Sequence, residues 1–175
     1  MKKFKLTSEF IVDISGVKLF RIKALIEFGN VKAGDLGGYI EKEENLSHMG
    51  DAWVSDDARI SGNAQVFGNA QVFGDAWVFG NARVFGNARV SGDAQVSGDA
   101  RVSGDKDYAY AHGFGSCNRT TTFFRLKDGD VGVRCGCFYG TLAQFRDKVC
   151  ETHGETKKAQ EYLMLADLME IRFKN

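Results

Sequence analysis

Apolar positions along this chain follow one short period through its middle and other periods at its two ends. From Gly50 to Ser103 the phrase Gly-(Asn/Asp)-Ala-x-Val-(Ser/Phe) stands nine times in tandem, beginning Gly50-Asp51-Ala52-Trp53-Val54-Ser55. In an extended backbone alternate residues face opposite sides. The Ala and Val of each hexad therefore point inward, and the residue between them and the one after Val point outward. Gly-Asn or Gly-Asp then supplies a corner, because these residues accept positive φ at little cost. Six-residue sides close into a prism with about three sides per coil. The pattern predicts a parallel β-helix of the hexapeptide class. Carrying the register backward puts Ile40 and Leu46 in the Ala column and His48 in the Val column, with the helix starting near residue 40.

The flanks have other periods. Phe20, Ile22, Ala24, Ile26 and Phe28 alternate with Arg21, Lys23, Leu25 and Glu27, a strand with one apolar face. Ser15-Gly16 reads as a two-residue turn into it from Phe10–Ile14. Residues 31–49 form a glycine-bearing lead-in. In the tail, Thr120–Leu126 and Val131–Phe138 read as a hairpin around Lys127-Asp128-Gly129-Asp130. Thr141-Leu142-Ala143-Gln144 fits a capping box opening a helix that Gly154 stops. A second helix spans about 156–173, with Ala159, Tyr162, Leu163, Ala166, Met169 and Ile171 on its buried face. The expected architecture is mainly β: a small β unit with lead-in over 1–39, a β-helix over 40–105, and a ββαα domain over 106–175.

Composition narrows the function only a little. Lys plus Arg and Asp plus Glu are equal at 23 each, so no global field favours nucleic acid. Met1-Lys2-Lys3-Phe4-Lys5 leads into no apolar run of signal-peptide or membrane-spanning length, so no secretion and no membrane partner are expected. The four cysteines then read as reduced thiols in a cytoplasm.

The phrase (Val/Ile)-x-Gly-(Asn/Asp)-Ala-x resembles the hexapeptide repeat of left-handed parallel β-helix proteins, which include many acyltransferases and are often trimeric. The lead-in Asp35-Leu36-Gly37-Gly38-Tyr39-Ile40-Glu41, with Asn45-Leu46-Ser47, resembles a group of uncharacterised phage and prophage proteins. These resemblances imply a left-handed helix, a homotrimer and a phage-encoded protein acting in the host cytoplasm.

Candidate chemistry lies outside the repeat, which holds no histidine and no inserted loop. An acyltransferase using acyl-CoA needs a general base. That leaves His48, which its column makes a core cap, or His112. Outward aromatics Phe67, Phe73, Phe79, Phe85 and Trp77 mark an interface between protomers or with the terminal domains, and Arg83 beside Phe67 and Phe85 is a place for cation–π pairing. Asp57, Asp75 and Asp93 stack on one edge as solvated turn residues. Cys135-Gly136-Cys137 puts two thiols on one strand face but lacks zinc-knuckle spacing, so no metal is expected. The segment Gly113–Thr122 collects glycines, hydroxyls and Arg119 before a strand, groups that donate to oxyanions. Ser116, Arg119, Thr120, Thr122, Arg125, Arg134, Tyr139 and His112 form the expected ligand set. It predicts a protein without cofactor or catalysis that sequesters a phosphate-bearing molecule such as a nucleotide immune signal, or blocks a host defence protein. An acyltransferase and a structural assembly protein are the alternatives.

Overall fold

The computed structural model describes residues 1–115 and 117–174. Three strands open the chain: β1 (Phe4–Val12), β2 (Lys18–Ala24) and β3 (Leu36–Ile40). Nine two-residue rungs follow: β4 (Trp53–Val54), β5 (Arg59–Ile60), β6 (Gln65–Val66), β7 (Gln71–Val72), β8 (Trp77–Val78), β9 (Arg83–Val84), β10 (Arg89–Val90), β11 (Gln95–Val96) and β12 (Arg101–Val102). They stack in parallel as three sides of a β-solenoid, ordered β3-β5-β8-β11, β4-β7-β10 and β6-β9-β12. Every Ala and Val of the repeat is buried. Corner glycines such as Gly68 and Gly80 both stand at φ +70°, where any side chain would be strained.

The lead-in departs from the extrapolated register. Ile40 pairs with Ile60, and Leu46 bridges to Val66, so both lie in the Val column rather than the Ala column. Gly38 takes the Ala position, where an added Cβ would strike the Ala58 carbonyl. The corner between Leu46 and Val54 is longer than a repeat corner, and it carries His48 out of the inward column. There His48 stacks on Phe4 at 4.3 Å, closing the end of the prism.

The first coil has carbonyls with no preceding rung to bond, and side chains supply the missing donors. Lys3 Nζ donates to the carbonyls of Gly50 and Ala52 at 3.1 and 2.7 Å. Asn45 Nδ2 donates to those of Gly62 and Ala64 at 3.1 and 2.8 Å. The β1–β2 hairpin is antiparallel and adds through β2 to β3. Its loop, 13–17, is longer than a two-residue turn. The Asp13 carboxylate holds it by accepting from the backbone and hydroxyl of Ser15 and from Val17 N–H.

The far end is covered by a four-stranded antiparallel sheet of β13 (Tyr108–Phe114), β14 (Arg119–Arg125), β15 (Val131–Cys135) and β16 (Phe138–Thr141). Helices α1 (Leu142–His153) and α2 (Lys157–Phe173) follow. The unit is ββββαα rather than ββαα, because the aromatic stretches at 108–114 and 138–141 are also strands. Alternation along β14 divides its side chains. Phe123 packs with Phe145, Tyr162, Ala166 and Phe173 under the helices, while Phe124 joins Tyr108 in the solenoid core. The capping box of Thr141 and Gln144 and the Gly154 stop are present. On α2 Ile171 is exposed, and Phe173 fills the buried face instead. No helix among the described residues is long and apolar enough to cross a membrane.

Candidate functional site

The sheet divides the predicted ligand set between its two faces. Tyr110, Thr122, Arg134 and Tyr139 pair in one row across the four strands. That row lies on the last solenoid coil. Thr122 is fully buried and its hydroxyl accepts from Gln95 N–H at 2.9 Å. Arg134 stacks over Phe79 at 5.1 Å, and a Cβ on Gly98 would strike the Tyr139 hydroxyl. Thr122, Arg134 and Tyr139 are therefore the seam between sheet and solenoid. Arg125 is also structural: it donates to the carbonyls of Gly129 and Phe173, pairs with Asp107 and lies over the Phe173 ring. His112 and Thr120 bond each other at 2.8 Å, with Asp93 3.8 Å from the imidazole. Their shallow cleft, which Arg119 also borders, includes Asp75 and Asp93, whose carboxylates disfavour an anion. Ser116 lies outside the described residues.

Arg119 alone of that set reaches a pocket of favourable chemistry. A cavity of about 260 Å³ between β15, β16 and the helices is lined by Arg119, Lys148 and His153, by Phe138, Phe145, Val149 and Tyr162, and by Cys117, Cys135, Cys137 and Thr152. No carboxylate is among these lining residues. The capping box starts α1 at Leu142, and the helix then sets Phe145 and Val149 inward one turn apart with Lys148 and Thr152 at the rim. Lys148 pairs with Glu151 at 2.9 Å, an exposed contact that a ligand can displace. Burial, helped by Cys135, pushes the Tyr162 hydroxyl up to about 12, so it remains a protonated donor at neutral pH. Cys135 lies against that hydroxyl at 3.8 Å and accepts from Thr121 at 3.2 Å. Cys137 is not its strand neighbour. Gly136 has φ +58° and turns the chain there, so the two thiols sit on either side of a hairpin bend. Lys148, Phe145 and Tyr162 carried no functional signal in sequence, where they read as ordinary helix positions.

The histidine at the opposite end is fully engaged. His48 Nδ1 accepts from Lys3 N–H at 3.1 Å, so Nε2 carries the proton toward Glu43 at 2.7 Å. Hydrogen bonds from Lys2 and from His48 hold the Glu43 carboxyl below its usual range. This ring is a structural clamp with no lone pair left for a base. The open cleft beside it, about 780 Å³, includes Glu43, Glu44 and Phe67.

Outward aromatics pair along the solenoid: Phe67 stacks on Phe85 at 5.2 Å, and Trp77 lies against Phe79 at 4.4 Å. The cations over these rings are Arg89 on Phe73 and Arg134 on Phe79, where Arg83 was expected beside Phe67 and Phe85. Among the described residues no cluster of three His, Cys, Asp or Glu is arranged to hold a metal.

A family model described as the YdcK beta solenoid repeat matches residues 58–74, 76–92, 82–95 and 94–105. No curated protein matches the chain. The match falls on the rungs and stops short of both terminal units. Sequence repeat and stacked rungs agree, and the chain is a β-solenoid repeat protein.

Proposed function

We infer that the chain is a small-molecule-binding protein whose C-terminal unit takes a compact anion bearing a ring, with a nucleoside monophosphate as the representative class. One observation carries this: the helix-side pocket joins Arg119 and Lys148 to an aromatic floor and includes no carboxylate among its lining residues. Arg and Lys give charge-assisted bonds to phosphate, while Phe138, Phe145 and Tyr162 offer ring contacts. The site is rich in donors, and the imidazole on its lining, His153, is stacked on Tyr162 at 5.8 Å, an arrangement that suits binding without turnover. Sequestration of a nucleotide signal by a phage-encoded trimer is the setting that fits, with the solenoid aromatics as the protomer contacts. The acyltransferase alternative loses its His48 base to the Lys3 and Glu43 contacts and keeps His112, which bonds Thr120 away from this pocket.

Isothermal titration with adenosine monophosphate, adenosine and orthophosphate tests the reading. The monophosphate is expected to bind most tightly, and Arg119→Ala or Lys148→Ala each to weaken it about tenfold, the worth of one charge-assisted contact. Equal affinity for adenosine and its monophosphate contradicts the reading.

A further inference from the structure

Three of the four cysteines, Cys117, Cys135 and Cys137, open onto this one pocket, and Cys150 lies outside it on α1. Arg119 Nη2 contacts Cys117 Sγ at 3.8 Å. The Arg119 guanidinium is held more firmly protonated by that hydrogen bond first, and also by the nearby Cys135 and Cys137. Cys135 is half-buried between Thr121 and Tyr162, whereas Cys117 and Cys137 are exposed at the mouth. A backbone bend crowds this arrangement: a Cβ on Gly136 would strike Arg119, and one on Gly115 would strike Tyr162.

Disulfide exchange requires a thiolate with access to the disulfide, and docking of the disulfide beside it raises the rate. A guanidinium against the sulfur favours the thiolate, and Cys117 is exposed. Lys148, together with Arg119, supplies cations for a substrate's carboxylates, with no lining carboxylate to repel them. We propose that Cys117 is a thiol–disulfide exchange site for small anionic disulfides of the glutathione-disulfide class, docked by Arg119 and Lys148. The Cys117 thiolate attacks one sulfur of the small disulfide. A protein–S–S–R bond forms as the R–S–S–R bond breaks, and the second half leaves as the thiolate RS⁻, which takes a proton from water. The docking part rests on reading the pocket as an anion site. The exchange chemistry does not require a nucleotide.

The test incubates the folded full chain with glutathione disulfide and follows each cysteine by peptide mass mapping. Cys117 is expected to form the mixed disulfide about tenfold faster than exposed Cys150, the order of effect a neighbouring cation gives. Arg119→Gln is expected to abolish the preference, and Arg119→Lys to retain part of it. The cationic disulfide cystamine is expected to show a smaller Cys117 preference, because it keeps the thiolate advantage and loses the docking cations. Equal rates at Cys117 and Cys150, an unchanged preference in Arg119→Gln, or an equal preference with cystamine would each overturn the proposal. Failure of the nucleotide reading is separable. A wild type that ignores the nucleotide yet keeps the Cys117 preference for glutathione disulfide sinks only that earlier reading.

Discussion

At the scale of single residues, the ends of the solenoid depend on side chains that replace a missing coil. Lys3 is almost wholly buried, and its ammonium lies over the Phe28 ring at 4.4 Å. Burial lowers it from 10.5 to about 8, against the opposing pull of Asp51. Between these values the unfolded chain binds more protons than the folded one, so this group makes stability rise with pH from about 8 to 10.5. Urea unfolding of wild type and Lys3→Met is expected to give a difference curve that climbs across that window. A flat difference contradicts the buried amine. Thr122 supplies the matching contact at the other end. Thr122→Val leaves Gln95 N–H without its acceptor and is expected to cost about 1–3 kcal/mol in denaturant unfolding, with nucleotide affinity unchanged. Loss of affinity in a stably folded Thr122→Val protein would return this residue to the ligand set.

At the scale of elements, corners and rungs are inseparable. Gly80 has φ +70°, and an added Cβ would sit 3.0 Å from the Gly98 nitrogen of the next coil. Gly16 has φ +84° with nothing within 4 Å. Both pay for left-handed backbone, about 1–2 kcal/mol when Ala replaces Gly. Gly80→Ala is therefore expected to destabilise more than Gly16→Ala, and equal thermal shifts would contradict stacked corners. The rungs were legible because Ala52, Val54 and their successors repeat one local rule. The first coil was not, because that rule fails at the Leu46–Gly50 corner, where two added residues shift Ile40 and Leu46 between columns. Strand β13 was hidden for a different reason. Tyr108–Phe114 has polar and glycine positions that only pairing with β14 organises. The same nonlocality hid the site: Thr122 and Arg119 are near in sequence, yet strand alternation and the docked solenoid put them on opposite faces.

At the scale of the whole molecule, a rigid prism has both ends covered, and the C-terminal sheet serves two surfaces at once. Its solenoid side is occupied by Tyr110, Thr122, Arg134 and Tyr139 making the seam. Its helix side carries the pocket with Arg119 and Lys148. The account's central claim is that an anionic ligand binds on the helix side. The most direct measurement is titration of adenosine monophosphate into Arg119→Ala/Lys148→Ala and into Arg134→Met, which removes the guanidinium over Phe79 but keeps an unbranched side chain of similar reach. The account predicts that the double variant loses binding by about a hundredfold, as two charge-assisted contacts together would, while Arg134→Met binds as wild type does. Loss of binding in a folded Arg134→Met protein, with the double variant unaffected, would place the ligand on the solenoid side and contradict it.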